Sequence, residues 1–458
     1  MTHRPRKGVW LVGWDPEDED AWERYGRRLA RRNLVLSVLG EHIGFSVWTL
    51  WSVLVLFMSP DIGLSFDAGD KFLLVATPTV VGALLRLPYG FAVTRYGGRD
   101  WTVFATGILL VPTLLALYFV QRPGTPLWVF LIVAALSGVG GGNFASSMTN
   151  ITALYPQRHQ GWALGLNAGG GNLGVAAVQL VGLTVISVAG RTHPSYVAAA
   201  CAPVIVLVAL LAAWRMDNVD AVRAAPGTQR EAARDQDTWW ISLLYIGTFG
   251  SFIGYGFAFG LVLQNEFDAG PVDAVGYTFL GPLLGSVARP LGGLLADRLG
   301  GARVTFWNFL GMGAGTLLLL GAAEADSFAL FVAGFTALFV LSGIGNGSTY
   351  KMIPAVFAGR AREEIAAGQD ADAAFARARR LSGAVIAIAG AVGALGGAAI
   401  DIAFSLSYAD GSGSGAPAFL AFLGYYVLCM VLIRAVHLRR RPVGHTAPAD
   451  RAEAASHV

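Results

Sequence analysis

The sequence predicts an all-α membrane protein with twelve transmembrane helices in two pseudo-symmetric six-helix bundles. Three observations lead there. Hydrophobic residues make up 54% of the 458 and charged residues only 14%, with a mean hydropathy of +0.55, too apolar for a soluble core under a polar surface. Apolar stretches able to cross ~30 Å of hydrocarbon as ~20-residue helices recur along nearly the whole chain. A pattern of arginine and glycine in the first half returns in the second.

Taken in order, the apolar stretches are Leu34–Met58, Phe72–Val93, Trp101–Val120, Leu127–Ile151, Gly161–Val188, Tyr196–Met216, Trp239–Leu263, Val275–Leu299, Val304–Ala322, Phe328–Val356, Leu381–Phe404 and Phe419–Ile433. The first follows a head rich in Arg, Asp and Glu. It is too long for the apolar region of a signal peptide, so it is expected to remain as a helix with nothing cleaved. The segment 217–238, with its Pro, Gln, Arg and Asp, separates six spans from six. The predicted organisation is a cytoplasmic N-terminal segment (1–33), a first bundle (34–216), a cytoplasmic linker (217–238), a second bundle (239–438) and a cytoplasmic tail (439–458).

Orientation follows from lysine and arginine, which gather on the cytoplasmic side. Of 33 such residues, Lys71, Arg122 and Arg191 fall in loops on one side, and Arg86, Arg289 and Lys351 fall inside the membrane. The rest lie at the opposite face, which carries both termini. A multi-pass protein of the bacterial inner membrane with cytoplasmic termini is expected. The formal charge of +3 therefore reports topology and does not call for a nucleic-acid partner. Cys201 and Cys429 lie in apolar spans without a CxxC pair or metal spacing, so no disulfide, metal or cofactor is expected.

LLRLPYGFAVTRYGGR around Arg86 reappears as VARPLGGLLADRLGGAR around Arg289, with Gly82/Gly285, Arg86/Arg289, Arg95/Arg298 and Gly97/Gly300 at one constant offset. SGVGGGN (Ser137 to Asn143) likewise matches SGIGNGS (Ser342 to Ser348). Chance matches are cheap among 59 glycines, but the shared register of an arginine and a GG pair argues for duplication. Parallel six-helix repeats with the substrate site at their interface are the build of the major facilitator fold. Most of the glycines are expected to serve close helix packing.

Arg86 lies nine residues before Arg95 at the membrane rim, which buries it by ~13 Å; Arg289 stands the same way before Arg298. A charge at that depth costs at least ~2.5–3.5 kcal/mol and faces a cavity or a partner. Internal pairing would need deep acids. Glu41 is one, whereas Asp297 sits at a helix end and Asp401 approaches the outer face. Two arginines at equivalent depth in opposing halves are more simply neutralised by an anion held between them. The planar guanidinium fork favours an oxyanion; a phosphate, a sugar phosphate or a dicarboxylate, with Lys351 meeting extra charge, all remain open at this point.

GGGNFASSMTNI (Gly140–Ile151) and GWALGLNAGGGNLGVAAVQL (Gly161–Leu180) closely resemble the signature segments of the nitrate/nitrite porter (NarK-like) family of the major facilitator superfamily. The resemblance continues in WDPEDEDAW, LLYIGTFGSFIGYGFAFG, GPLLGSVARPLGGLLADRLGGARVTFWNF and GIGNGSTYKMI, so it covers nearly the whole chain. It implies transport of nitrate and nitrite, with Arg86 and Arg289 as primary anion ligands, Asn172 and Tyr245 as hydrogen-bonding residues, and Phe45, Phe144 and Phe249 as pocket walls. Aromatic walls with a few fixed donors suit a planar, weakly hydrated anion better than phosphate.

Glu41, His42 and Lys351 stand where nitrate/nitrite exchangers carry apolar or neutral residues and resemble the proton-linked subgroup. They are the candidates for proton coupling, with Glu41 taking up a proton beside the anion and His42 as relay. The alternative is that Glu41 neutralises Lys351 or an arginine as a fixed pair. The expected partners are thus nitrate, nitrite, protons and membrane lipids, and one bundle pair contains a complete pathway, so the monomer is expected to function alone. Other readings are an organic-anion or phosphate-ester carrier, which predicts a more basic cavity, and a nutrient sensor on a transporter scaffold, which predicts a soluble signalling extension. An enzyme is not expected, since no HExxH, Walker loop or Gly-x-Ser-x-Gly elbow is present.

Overall fold

The computed structural model describes residues 10–220, 227–409 and 414–438; the predicted tail, 439–458, lies outside them. Among the described residues twelve helices are long and apolar enough to cross a membrane: Glu19–Phe57, Ala68–Tyr96, Gly98–Phe119, Leu127–Leu154, Gln157–Ala189, Ser195–Arg215, Gln236–Glu266, Gly276–Leu299, Gly301–Glu324, Phe328–Ala366, Ala371–Ala409 and Ala416–Leu438. These are spans 1 to 12 below. Several are not continuous α-helix. Span 1 turns at Thr49 and Leu50, between Arg27–Trp48 and Trp51–Phe57, and span 4 tightens to a 3-10 helix over Gly138–Gly142.

Hydropathy ends span 10 too early and starts span 11 too late. Span 10 continues beyond Val356 to Ala366, and span 11 begins at Ala371, ahead of Leu381. A helix needs lipid only for its apolar part, and here ion pairs hold the remainder: Arg360 meets Asp235 and Asp237, and Arg377 meets Glu231 at 2.7 Å and Glu364 at 3.0 Å.

The segment 217–238 is anchored at both described ends. Asp217 accepts hydrogen bonds from Arg32 and from Asn33 Nδ2 at 2.9 Å, Asn218 Oδ1 accepts from the Arg99 amide at 2.9 Å, and Trp10–Leu11 pairs in parallel with Asn218–Val219 as a two-stranded sheet. Farther on, the short helix Thr228–Arg234 carries the Glu231 that holds Arg377. These contacts bring the starts of spans 1 and 3 and the end of span 6 to one face, the face at which the described chain begins and ends.

At the opposite, distal face the two halves meet. Ser405 Oγ donates to the Gly69 carbonyl at 3.0 Å, and Phe72 stacks on Tyr408 and Phe404 with ring centroids 5.2 and 5.6 Å apart. Gln179 Nε2 donates to the Gly256 carbonyl at 2.8 Å, and Trp48 packs edge-on against Phe257 at 5.5 Å. All of these contacts lie on the distal side of Arg86, so the halves are sealed there.

Within each half, glycines allow backbones to touch. A Cβ on Gly141 would stand 2.8 Å from Gly82 Cα and 2.8 Å from the Trp48 ring, and one on Gly347 would stand 2.1 Å from the Arg289 carbonyl oxygen. Helices in lipid gain little from the hydrophobic effect, so this contact area supplies much of their cohesion.

Candidate functional site

Span 2 carries Arg86 and span 8 carries Arg289, both buried. Nη1 of Arg86 donates to the Gly390 carbonyl of span 11 at 2.8 Å, a bond across the two halves. Among the described residues its Nε and Nη2 have no partner. Nη2 of Arg289 donates to the Tyr245 hydroxyl at 3.1 Å, and Nη1 has no partner among the described residues. Each guanidinium feels the other's charge and that of Glu41, yet among the described residues neither has a carboxylate at ion-pair distance. A buried guanidinium normally satisfies its donors; here three donor nitrogens have no partner among the described residues.

The predicted walls surround Arg86. Its guanidinium carbon lies 4.6 Å from the Phe144 ring centroid and 4.8 Å from that of Phe249, one ring from each half, with the two centroids 6.2 Å apart. Phe45 stacks behind Phe144 at 6.4 Å. Tyr245 stacks on Phe249 at 5.1 Å; because its oxygen accepts from Arg289, its own O–H proton stays available. Asn172 is buried, and among the described residues neither its amide nitrogen nor its oxygen is bonded. The structure therefore gathers Arg86, Arg289, Tyr245, Phe144 and Phe249 directly, with Phe45 behind them, and leaves Asn172 buried with free donors and an acceptor.

The three coupling candidates do not form one cluster. Glu41 is buried on span 1 and accepts from Ser147 Oγ and from Asn167 Nδ2 at 2.6 Å, leaving Oε1 bare. Gly171 makes room for it: a Cβ there would stand 2.1 Å from Oε1. His42, next in sequence and therefore rotated to another helix face, bonds through Nδ1 to the Gly170 carbonyl at 3.0 Å. Lys351, predicted to lie inside the membrane and to serve Glu41 or the anion, instead pairs with Asp297 at 2.9 Å, with both side chains about half exposed. Span 10 runs well past the apolar zone, and that length carries Lys351 toward the face of the termini.

The model of the Major Facilitator Superfamily matches residues 42–400. The nitrate/nitrite transporter NarU of Escherichia coli (strain K12) is 39% identical over 451 residues, 94% of this chain and 96% of the relative. The chain belongs to the nitrate/nitrite porter family of the major facilitator superfamily. The probable nitrate/nitrite antiporter NarK2 of Thermus thermophilus is 36% identical, covering 77% of this porter and 84% of the relative. Among solved structures, the partially occluded inward-open xylose transporter XylE of E. coli superposes with a TM-score of 0.68 over 92% of the porter and 100% of that chain, at 14% identity, a likeness of fold alone.

Sequence reasoning missed five residues that stand at the candidate site. Trp48 lies 5.6 Å from the Arg86 guanidinium carbon and Tyr350 lies 5.5 Å from that of Arg289; Gly390 supplies the carbonyl, and Ser147 and Asn167 hold Glu41. Tyr350 had a signal, since it stands beside Lys351 in GIGNGSTYKMI, one of the runs that carry the family resemblance. Gly390 had none, because a backbone carbonyl carries no residue identity.

Proposed function

We propose that this protein carries nitrate and nitrite across the bacterial inner membrane by alternating access, with both termini in the cytoplasm and one chain forming the whole pathway. The carrying observation is the pair of buried arginines on equivalent helices of the two halves, each with unused donors. A planar monoanion fits these donors: one negative charge and a flat face meet two guanidinium forks, the Tyr245 hydroxyl and aromatic rings. A phosphate ester would need further cations, and the nearest candidate, Lys351, is paired with Asp297. The names of the relatives support the same anion, and the lysine and arginine distribution supports the orientation.

Glu41 is the proposed carrier of a coupled proton, which would make the cycle nitrate uptake with protons, with nitrate/nitrite exchange as its underlying form. The deciding experiment is uptake by purified protein in liposomes, with trapped nitrite and an imposed pH gradient varied independently. Uptake driven by neither sinks the reading.

Asn172→Ala and Tyr245→Phe are expected to weaken nitrate binding about ten- to a hundredfold each while leaving the protein folded, since each removes one hydrogen bond to a charged ligand, ~1.5–3 kcal/mol. Calorimetric titration of purified variants reads this; unchanged affinity in both removes them from the site. Gly171→Leu and Gly141→Leu are expected to stop transport, because their side chains would occupy the volume of Glu41 in one case and of Gly82 and Trp48 in the other. Overpacking of this kind costs about 1–3 kcal/mol, visible as a lower melting temperature; full uptake with either leucine would refute close packing at that position.

A further inference from the structure

Asp401 stands apart from the site described above. It lies on span 11, eleven residues beyond Gly390 toward the distal face, which is ~16 Å along the helix, and it is fully buried. Among the described residues its side chain has one hydrogen-bond contact, across the interface between the halves, where Asp401 Oδ2 and Thr79 Oγ1 of span 2 are 3.4 Å apart, and Oδ1 has none.

The nature of that contact identifies the protonation state it suits. The Thr79 hydroxyl has one proton and two acceptors within reach of it, the Val75 carbonyl at 3.0 Å and Asp401 Oδ2 at the longer 3.4 Å. With that proton on the nearer carbonyl, a hydrogen bond between Thr79 and Asp401 takes its proton from the carboxyl group. Among the described residues no charged side chain offsets a negative charge at Asp401. On span 2 the nearest ionisable groups are Asp70 and Lys71, two turns or more toward the distal end, and Arg86, two turns the other way and bonded to Gly390. On span 7, Tyr245 contacts Arg289, Tyr255 bonds Tyr426 of span 12 at 2.5 Å, and Glu266 accepts from Tyr408 of span 11 at 2.8 Å. On span 10, Tyr350 lies by Arg289 and Lys351 is paired with Asp297.

We propose that Asp401 is a proton-binding residue of the distal gate: spans 2 and 11 close over its protonated form, and release of that proton to water on the distal side frees the two halves to part. The closed state thus binds one proton that the open state, with Asp401 in water, loses near neutral pH. By linkage the open-to-closed ratio rises with pH, by as much as ~10-fold per pH unit. This latch rests on alternating access alone and is independent of which anion is carried, so it is tested without nitrate.

The test places spin labels at Gln121→Cys and Glu324→Cys, exposed positions at distal turns of the two halves, in the full-length protein in lipid nanodiscs; Cys201 and Cys429 are buried. Pulsed distance measurements at several pH values read the fraction with separated distal ends. That fraction is expected to grow as pH rises from about 5 to 7, above the ordinary carboxylate range of ~3.9. Asp401→Asn, which keeps the neutral shape, is expected to hold the gate closed and flatten the response. Thr79→Val, which removes the acceptor but keeps the carboxyl group, is expected to move the response to lower pH, and it serves if Asp401→Asn does not fold. A fraction that ignores pH in the parent protein overturns the proposal, as does an unaltered response in the variants.

Discussion

Arg86→Lys and Arg289→Lys are each expected to abolish nitrate transport while the protein still folds and inserts. A lysine keeps the positive charge, so a site that needed only charge would tolerate it. The geometry asks for more. Arg86 spends Nη1 on the Gly390 carbonyl and has Nε and Nη2 left over, while its flat face lies against Phe144 and Phe249. One ammonium cannot bond Gly390, present two further fixed donors and stack on two rings. Arg289 likewise divides its donors between the Tyr245 hydroxyl and an unused Nη1. Losing two charged hydrogen bonds at ~1.5–3 kcal/mol each lowers affinity by at least about a hundredfold. Nitrate-dependent uptake in proteoliposomes measures this. Near-normal transport by either lysine variant would end the bidentate account.

Glu41→Gln is expected to lose nitrate uptake driven by an inward proton gradient while retaining nitrate/nitrite exchange. Glutamine preserves the shape and can still accept from Ser147 and Asn167, so the packing against Gly171 stays intact; only the exchangeable proton is gone. Moving an anion inward against a negative interior costs ~2.3 kcal/mol per charge per 100 mV. One proton carried with nitrate makes the step electroneutral, and two make it electrogenic inward. Exchange of one monoanion for another moves no net charge and needs no proton, which is why it is expected to survive. Normal gradient-driven uptake by Glu41→Gln would make Glu41 a structural residue. The position of Lys351 sharpens the test: paired with Asp297, it supplies no fixed neutralising partner for Glu41. His42, bonded to the Gly170 carbonyl, is likewise not placed as a direct hydrogen-bond partner of Glu41.

Much of this architecture was legible in the chain because the signals are local. A span announces itself by some twenty consecutive apolar residues, and the depth of Arg86 follows from its nine-residue distance to Arg95 and a fixed helical rise. The repeat around Arg86 and Arg289 placed the two arginines in register without any contact being known. The helix ends of spans 10 and 11 were not legible, since the ion pairs of Arg360 and Arg377 that sustain them join segments far apart in sequence. Nor were the partners of the buried charges. Whether Arg86 meets a carboxylate, a carbonyl or an empty space depends on the rotation of span 11 about its axis, which brings Gly390 to it from 304 residues away. The choice between Asp297 and Glu41 for Lys351, and the pairing of Asp401 with Thr79, were settled in the same way. Apolar length and helical period reside in the sequence, whereas the neighbour of each buried polar atom is decided only when the helices pack.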